Sequence, residues 1–127
     1  MSDEVPKCRV LVVEDEALVG MEIGGSIEWQ GHEVVGPIAV LDEALAVLAN
    51  VNLDCAILDI NIRGGQSYPV ADILLQRGVP VLLLTGYNKL TLPERLQGEA
   101  LLHKPFTAEQ LDEEISKLCA RAAKSGR

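Results

Sequence analysis

CRVLVVE, the stretch at residues 8–14, is a short run of β-branched and other apolar residues that ends abruptly at an acid. Such a run is typical of a strand that is buried on both faces, as the strands of a parallel sheet are. The segment that follows, from about residue 16 to residue 30, has a helical spacing of apolar residues. A strand followed by a helix is therefore the first structural unit of the chain.

The first helix is predicted from three apolar side chains that are spaced four residues apart, Val19, Ile23 and Ile27. This spacing places them on one face of a helix. Asp15 precedes the periodic segment and is the expected N-cap, because an aspartate there can accept hydrogen bonds from the first free backbone N–H groups.

The same alternation of strand and helix repeats along the chain. Apolar runs predict four more strands, and helical spacing predicts three more helices. In the last helix, Thr107 and Gln110 have the spacing of a capping box. The predicted strands lie at residues 32–38, 54–59, 79–85 and about 101–102, and the predicted helices lie at 41–49, from 69 to about 78, and from 107 onward.

Five apolar strands that alternate with helices predict an α/β fold, a parallel sheet with helices on both faces. Right-handed crossovers restrict this arrangement to a doubly wound, three-layer sandwich. We expect a single domain over residues 1–127, with its core at about 8–123. Residues 86–98 have no clean period, so any helix between the fourth and fifth strands is expected to be short or disordered.

Ligands of doubly wound sheets bind beyond the carboxyl ends of the strands. Here those ends carry Glu14 and Asp15 after the first strand, Asp59 after the third, Thr85 after the fourth and Lys104 after the fifth. Three converging carboxylates repel one another unless a cation lies among them. Oxygen ligands of this kind and number suit Mg²⁺, so the sequence predicts a magnesium site at this edge.

Asp59 is the candidate nucleophile of this site. With a metal beside it, its carboxylate stays ionised and can attack an electrophilic phosphorus to give an acyl phosphate. Lys104 would neutralise charge on the transferred group, and the Thr85 hydroxyl would hydrogen-bond to a phosphoryl oxygen. Such a hydrogen bond would pull the loop after Thr85 inward and couple the chemistry to a change of shape.

Composition excludes several other kinds of protein. The chain has 11 Lys and Arg against 19 Asp and Glu, a net charge of −8, and no basic cluster, which argues against a nucleic-acid partner. No stretch approaches the ~20 apolar residues of a membrane span, and the first seven residues lack the form of a signal peptide, so we expect a cytoplasmic protein without a membrane partner. The three cysteines (Cys8, Cys55 and Cys119) match neither a disulfide framework nor paired metal-ligand spacing and are interpreted as small buried hydrophobes.

At these strand ends the sequence resembles the receiver domain of bacterial two-component response regulators, which has the flavodoxin-like (CheY-like) fold. The resemblance implies a switch that catalyses only its own phosphorylation and dephosphorylation. It implies that Asp59 accepts the phosphoryl group from a histidine kinase, that Glu14 and Asp15 help to hold Mg²⁺, and that the backbone carbonyl of Asn61 completes the protein ligands. The motifs that carry it are Val10–Glu16 (VLVVEDE), Ile57–Asn61 (ILDIN), Leu84–Gly86 (LTG) and Lys104–Phe106 (KPF).

A narrower likeness is to the FATGUY receivers, which are frequently stand-alone proteins paired with HWE-type histidine kinases and in which the fourth helix is lost or disordered. This likeness implies a response regulator with no output domain. In the motif itself Leu83-Leu84 replaces the usual Phe-Ala. The residues that carry the likeness are Gly64-Gly65, Tyr68–Asp72, Gly78–Pro80, Thr85–Tyr87 and Leu92-Pro93.

One departure from the family concerns the switch. Most receivers have an aromatic residue three positions before the lysine, and this chain has Leu101 there. Tyr87, an aromatic residue with a polar tip, either takes over the signalling role together with Thr85 or simply covers the loop.

Three other functions are alternatives for a chain of this fold. A haloacid-dehalogenase-like, Mg-dependent phosphatase also uses an aspartate nucleophile, but it needs a second aspartate two residues later as general acid, and this chain has Asn61 there. A nucleotide- or flavin-binding module needs a phosphate loop after the first strand, where this chain has Glu14–Glu16. A purely structural interaction domain would require a degenerate site.

The partners expected for the receiver are a histidine kinase, of HWE type by the narrower likeness, or a histidine phosphotransfer protein. A homodimer is a further way in which such a chain could signal.

Overall fold

The computed structural model of the protein describes residues 7–86 and 91–124. Each predicted strand and helix is present there, with boundaries that differ from the prediction by at most two residues. The strands of the main sheet are β1 (Arg9–Val13), β2 (Glu33–Ile38), β3 (Cys55–Asp59), β4 (Val81–Thr85) and β5 (Ala100–His103). The helices are α1 (Ala17–Trp29), α2 (Leu41–Asn50), α3 (Tyr68–Gln76) and α4 (Ala108–Lys124), and a small hairpin is formed by Asn61–Ile62 and Gly65–Gln66.

The main sheet is parallel throughout, and its strand order is β2-β1-β3-β4-β5. The chain winds outward from β1 in one direction to β2, and then crosses to β3 and winds in the other direction. This order confirms the predicted doubly wound, flavodoxin-like fold. The winding reverses between β1 and β3, so the carboxyl ends of these two strands are where a ligand site is expected.

Two apolar clusters form the core, one on each face of the sheet. Within β1, Leu11 and Val13 belong to the cluster under α2 and α3, whereas Val10 and Val12 belong to the cluster under α1 and α4. All four side chains are fully buried, because successive residues of a strand point to opposite faces and both faces are covered here. The sheet is therefore the middle layer of three.

Helix α1 begins one residue later than predicted. Its N-cap is Glu16, whose side chain makes no capping hydrogen bond, so the prediction of Asp15 as N-cap is wrong. The backbone N–H of Glu16 instead donates to the carboxylate of Glu14, at 3.1 Å. Glu14 thus satisfies a free N–H group near the start of the helix in place of an N-cap side chain, and this bond ties the helix to the end of β1.

Helix α4 begins with the predicted capping box. The backbone N–H of Thr107 donates to the Gln110 side-chain oxygen at 2.9 Å, and the backbone N–H of Gln110 donates to Thr107 Oγ1 at 3.1 Å. Two N–H groups that the helix leaves free are satisfied in this way, which fixes where the last helix starts.

Between β4 and β5, the described residues contain no α-helix. The part of this segment that is described from Thr91 onward contains a short 3-10 helix, Glu94–Leu96, and this agrees with the predicted short fourth helix. Leu92 and Leu96 are buried in the cluster under α2 and α3. Tyr87, the candidate switch residue, lies outside the described residues.

Helix α1 also carries large apolar side chains on its solvent side. Leu18, Met21 and Trp29 are exposed, and Trp29 is 87% exposed. In the part of the chain that is described, no helix combines the length and the apolar character that crossing a membrane would take.

Candidate functional site

The carboxyl edge of the sheet brings most of the predicted site residues together. Val13 pairs with Leu58, so Glu14 and Asp59 come at the same level on the neighbouring strands β1 and β3. On the other side, Thr85 at the end of β4 pairs with His103, the residue before Lys104. The parallel register therefore explains why Glu14, Asp59 and Lys104 meet at this edge, although each is 45 positions from the next along the chain.

Lys104 lies at the centre of this group. Its ammonium nitrogen is 2.9 Å from Glu14 Oε1, 3.0 Å from Asp59 Oδ2 and 3.1 Å from Glu16 Oε1. Burial alone would lower the pKa of Lys104, but its close contacts with the three carboxylates outweigh burial and raise that pKa. The ammonium group is therefore charged at neutral pH.

Glu14 is the most buried acid of the group. Burial raises the pKa of its carboxyl to about 7, the neighbouring Asp59 raises it as well, and Lys104 offsets part of the effect. Glu14 Oε1 forms an ion pair with the Lys104 ammonium at 2.9 Å, although the alignment of the two groups is not that of a hydrogen bond. The buried carboxylate is therefore stabilised by a cation, and a metal ion bound beside it would add to that stabilisation.

Glu16 belongs to the site, which sequence reasoning did not foresee. One carboxylate oxygen from each of Glu14, Glu16 and Asp59 lies within 4.8 Å of the other two. Asp15, the predicted metal ligand, is half-buried and is not part of that group of three. The acidic run at residues 14–16 was the available signal, but the direction of each side chain depends on how the chain turns into α1.

Ser67 is a second residue that the sequence did not reveal. It is fully buried, its hydroxyl donates to the backbone carbonyl of Asp59 at 2.7 Å, and its N–H donates to Ile60 at 2.8 Å. Ser67 thereby holds the end of β3, and with it the Asp59 backbone, against the start of α3. A serine just before Tyr68-Pro69 looked like an ordinary turn residue in the sequence.

The remaining predicted residues lie around this centre. Thr85 is buried, and its carbonyl accepts the backbone N–H of Lys104 at 2.9 Å. Asn61, two residues after Asp59, is exposed. It lies in the small hairpin, where it pairs with Gln66. A surface cleft of about 310 Å³, lined in part by Glu16, Lys104 and Phe106, opens beside the site and gives access from solvent.

The donor set fits a magnesium ion. Glu14, Glu16 and Asp59 supply carboxylate oxygens, and those of Glu14 and Asp59 are buried side by side. Hard oxygen donors of this kind are the ligands that Mg²⁺ prefers, and two or three carboxylates leave positions for water and a phosphoryl oxygen.

A doubly wound sheet with acids, a lysine and a hydroxyl at its switch point defines a class of proteins: phosphoryl-accepting α/β domains. Comparison with known families makes this specific. Residues 10–116 match the response regulator receiver domain. The chain belongs to this family.

Curated relatives agree with this assignment. The chain is 32% identical over 111 residues to the transcriptional regulatory protein PdtaR of Mycobacterium tuberculosis, a match that covers 84% of this chain and 54% of PdtaR. It is 32% identical over 113 residues to the phyllosphere-induced regulator PhyR of Methylorubrum extorquens, covering 86% of this chain and 42% of PhyR. The chain thus spans about half the length of the curated relatives it matches.

Solved structures give the same result. The solution structure of SdrG from Sphingomonas melonis is 33% identical, with a TM-score of 0.75, and the match covers 92% of this chain and 97% of SdrG. The response regulator PhyR from Brucella abortus is 31% identical, with a TM-score of 0.77, over 94% of this chain and 51% of that one.

Family membership decides between the functions that the sequence left open. Receiver domains are signalling switches of two-component systems, are phosphorylated by histidine kinases or phosphotransfer proteins, and generally bind Mg²⁺ at their acidic site. The haloacid-dehalogenase-like phosphatase receives no support from these comparisons.

Proposed function

We propose that this receiver domain is switched by transfer of a phosphoryl group to Asp59. The observation that carries the proposal is the position of Lys104, whose ammonium contacts Asp59, Glu14 and Glu16 at 2.9 to 3.1 Å. In the transfer, an Asp59 carboxylate oxygen bonds to phosphorus as the phosphorus–nitrogen bond of a phosphohistidine breaks. The electron pair of that bond goes to the histidine nitrogen.

Glu14, Asp15 and Asp59, with the backbone carbonyl of Asn61, are the proposed protein ligands of Mg²⁺, and Glu16 joins them because of its place in the site. When bound, the metal neutralises charge on the phosphoryl oxygens. Asp59 supplies the attacking oxygen, and Ser67 keeps the Asp59 backbone in place. Lys104 keeps its proton, and its ammonium group can move its hydrogen bond from the Asp59 carboxylate to a phosphoryl oxygen.

Thr85 is the proposed reader of the phosphoryl group. It ends β4 on the strand next to Asp59, and its backbone is joined to Lys104 by a hydrogen bond. A new hydrogen bond from its hydroxyl to a phosphoryl oxygen would therefore move both the loop after β4 and the residue after β5. Tyr87 is the proposed second switch residue; it lies outside the described part of the chain, so its role in reading the phosphoryl group stays a prediction.

For the partners we propose a histidine kinase, of HWE type if the FATGUY likeness holds, or a histidine phosphotransfer protein. A homodimer stays a second possibility for signalling. We also propose that residues 8–123 form the core of one receiver domain, with a site that needs no residue from another domain.

The experiment that tests the proposal is incubation with acetyl phosphate and Mg²⁺ followed by intact-mass measurement. The wild-type chain should gain one phosphate, and Asp59→Asn should gain none. Asp42→Asn, which changes an exposed aspartate in the first turn of α2, is the matched control and should be labelled like wild type. Equal labelling of Asp59→Asn and wild type would refute the assignment, as would labelling that persists in excess chelator.

A further inference from the structure

Helix α1 carries an apolar stripe on its solvent side. Leu18, Met21 and Trp29 are 80%, 69% and 87% exposed, and they are the large apolar side chains that stand out into solvent in the part of the chain that the structure describes. With Gly25 they follow one another at intervals of three, four and four residues, so all four lie on the same side of the helix. We call these four residues the α1 stripe. Contiguous exposed apolar side chains of this kind mark sites of protein–protein contact.

A groove on the β2 side of α1 extends the α1 stripe. Its volume is about 360 Å³, and it is lined in part by Met21, Gly25, Val34 and Pro37. Along the α1 stripe the helix rises by about 17 Å, which is roughly three turns. A second helix can lie beside the first over this length.

The glycines of α1 indicate how closely another molecule can approach. Gly20 has a reason within the chain, because a Cβ atom there would lie 2.9 Å from the Pro37 side chain. Gly25 has no such reason: apart from its own helix, a Cβ atom at this position would have no described neighbour within 4 Å. Glycine in the middle of a helix destabilises that helix relative to alanine. The glycine at position 25 is therefore explained if a second molecule lies close against it.

The charge of α1 determines the kind of partner. The helix has two acidic residues, Glu22 and Glu28, and no lysine or arginine. Both glutamates are exposed, and neither forms an ion pair with a described residue. Glu28 lies in the last turn, where the partial negative charge of the helix end disfavours a carboxylate. A cation from another molecule would relieve this repulsion, and the α1 helix of a second copy could not supply one.

We propose that the α1 stripe and the adjoining groove bind an amphipathic helix of another protein, in which lysine or arginine flanks the apolar face. The apolar side chains of the partner pack against the α1 stripe, in the way that amphipathic helices dock into apolar grooves. Gly25 allows the two helix axes to approach closely. A cationic side chain of the partner pairs with Glu28.

This surface is separate from the phosphorylation site. The groove faces β2, whereas the cleft beside Asp59 lies on the other side of α1, against residues 104–106. The groove and the cleft have no lining residue in common. The partner can therefore stay bound while a phosphohistidine protein reaches Asp59, and the inference does not rest on the phosphorylation of Asp59.

The test uses the unphosphorylated protein and a helical peptide of about five turns, with leucines at helical spacing and lysines beside them. Titration of this peptide should shift the amide resonances of α1 and β2. A second peptide, with glutamate in place of each lysine, should bind several-fold more weakly, because it lacks the charges that Glu28 attracts. Equal binding of the two peptides, or shifts confined to other elements, would overturn the proposal, as would the absence of binding.

Two variants separate docking from folding. Gly25→Gln introduces a good helix former, so its Tm should equal or exceed that of wild type, whereas its binding of the lysine peptide should weaken at least about tenfold because the helices can no longer approach. Trp29→Ser should cause a similar loss, as is usual for a tryptophan that carries binding energy. Glu43→Gln, which changes an exposed glutamate on α2, is the matched control and should bind like wild type. Unchanged binding by Gly25→Gln or by Trp29→Ser would refute docking on the α1 stripe.

Self-association is the competing explanation of the same apolar surface. Sedimentation equilibrium without peptide measures it directly. A dimer that both Gly25→Gln and Trp29→Ser dissociate would assign the α1 stripe to a second copy of the chain, and that result would overturn the proposal of a cationic partner.

Discussion

Lys104 is the residue that makes the acidic site compatible with folding. Glu14 is fully buried and Asp59 nearly so, and two buried carboxylates without a cation are expensive. The Lys104 ammonium, with one-fifth of its side chain exposed, occupies the space between them. The same charge that assists phosphoryl transfer therefore also stabilises the unmodified protein.

We predict that Lys104→Met lowers the free energy of unfolding by about 1–3 kcal/mol in the absence of Mg²⁺, because two buried carboxylates lose their counter-charge. Mg²⁺ should restore most of the loss. Urea unfolding with and without Mg²⁺ measures both effects. Lys117→Met is the control: its ion pairs with Glu113 and Glu114 lie on the surface of α4, where solvent screens them, so it should leave the free energy of unfolding almost unchanged. An equal effect of the two variants would contradict the role given to Lys104.

At the scale of single residues, the sequence predicted which strand ends carry the chemistry but not every side chain that takes part. Glu14, Asp59 and Lys104 meet as expected, because parallel register alone brings them together. Glu16 was not predicted as a site residue, because its position depends on a hydrogen bond from its own backbone N–H to the Glu14 carboxylate. That bond is a tertiary detail of the turn and has no signature in residue spacing.

Among the secondary-structure elements, the segment between β4 and β5 differs most from a regular α/β connection. Its described part has backbone hydrogen bonds that reach only three residues back, such as Leu96 to Pro93 and Glu99 to Leu96. Leu92 and Leu96 nevertheless attach it to the core. The segment is held by side-chain burial and only weakly by its own backbone.

Leu96→Ala is therefore expected to destabilise the protein by about 2–4 kcal/mol, the usual cost of emptying a buried leucine position. Arg95→Ala, one residue away, removes an exposed pair in which the guanidinium contacts Asp72 at 2.8 and 2.9 Å. Arg95→Ala should destabilise the protein much less than Leu96→Ala does, because solvent screens this ion pair. Denaturant unfolding of both variants measures the two changes in the free energy of unfolding. A larger decrease for Arg95→Ala than for Leu96→Ala would show that the ion pair, and not the buried leucine, holds the segment.

Hydrogen exchange should report the same difference between elements. The amides of residues 91–98 should exchange much faster than those of β4, whose N–H groups lie within a central, fully buried strand. Phosphorylation or a phosphoryl analogue should slow exchange in residues 91–98, because Thr85 would then tie the preceding loop to the site. Strong protection that does not change on phosphorylation would contradict this coupling.

The regular elements were predictable because each one satisfies a simple rule. The strands β1, β3 and β4 are continuous apolar runs, and α4 begins at a capping box. The first residue of α1 was predicted incorrectly, because its cap is supplied by a side chain from the preceding strand end and not by a residue at the N-cap position.

Across the whole molecule, charge and topology act together. The chain has a net charge of −8, and part of that charge is concentrated at the carboxyl edge of the sheet. General screening by salt and specific binding of a divalent cation should therefore both stabilise the fold, but in different ways.

Mg²⁺ should raise Tm along a saturable curve, by about 10 °C when its concentration is a hundred times Kd. Sodium chloride at the same ionic strength should give a smaller and non-saturating increase. Thermal unfolding followed by circular dichroism separates the two, and Glu14→Gln should reduce the magnesium effect but leave the sodium effect. Coincident curves for the two salts would exclude a specific cation site.

Topology also explains why the sequence did not predict that Cys8, Cys55 and Cys119 meet in the apolar cluster under α1 and α4. The rule for doubly wound sheets directs attention to the carboxyl ends of the strands, and the spacing of Cys8, Cys55 and Cys119 matches no ligand motif. Yet the strand order that joins Glu14 to Asp59 at one edge must join Cys8 to Cys55 at the other. Residues that open adjacent strands are as close as those that end them.

Trp29, the sole tryptophan of the chain, stands almost entirely in water at the end of α1. Its fluorescence in the native state should resemble that of the free amino acid, so the emission maximum will shift little when the protein unfolds. Spectroscopists will need another signal to follow folding. The same indole will, however, shift its emission to shorter wavelengths as soon as any molecule covers that end of the helix, which makes it an unmodified optical reporter of contact.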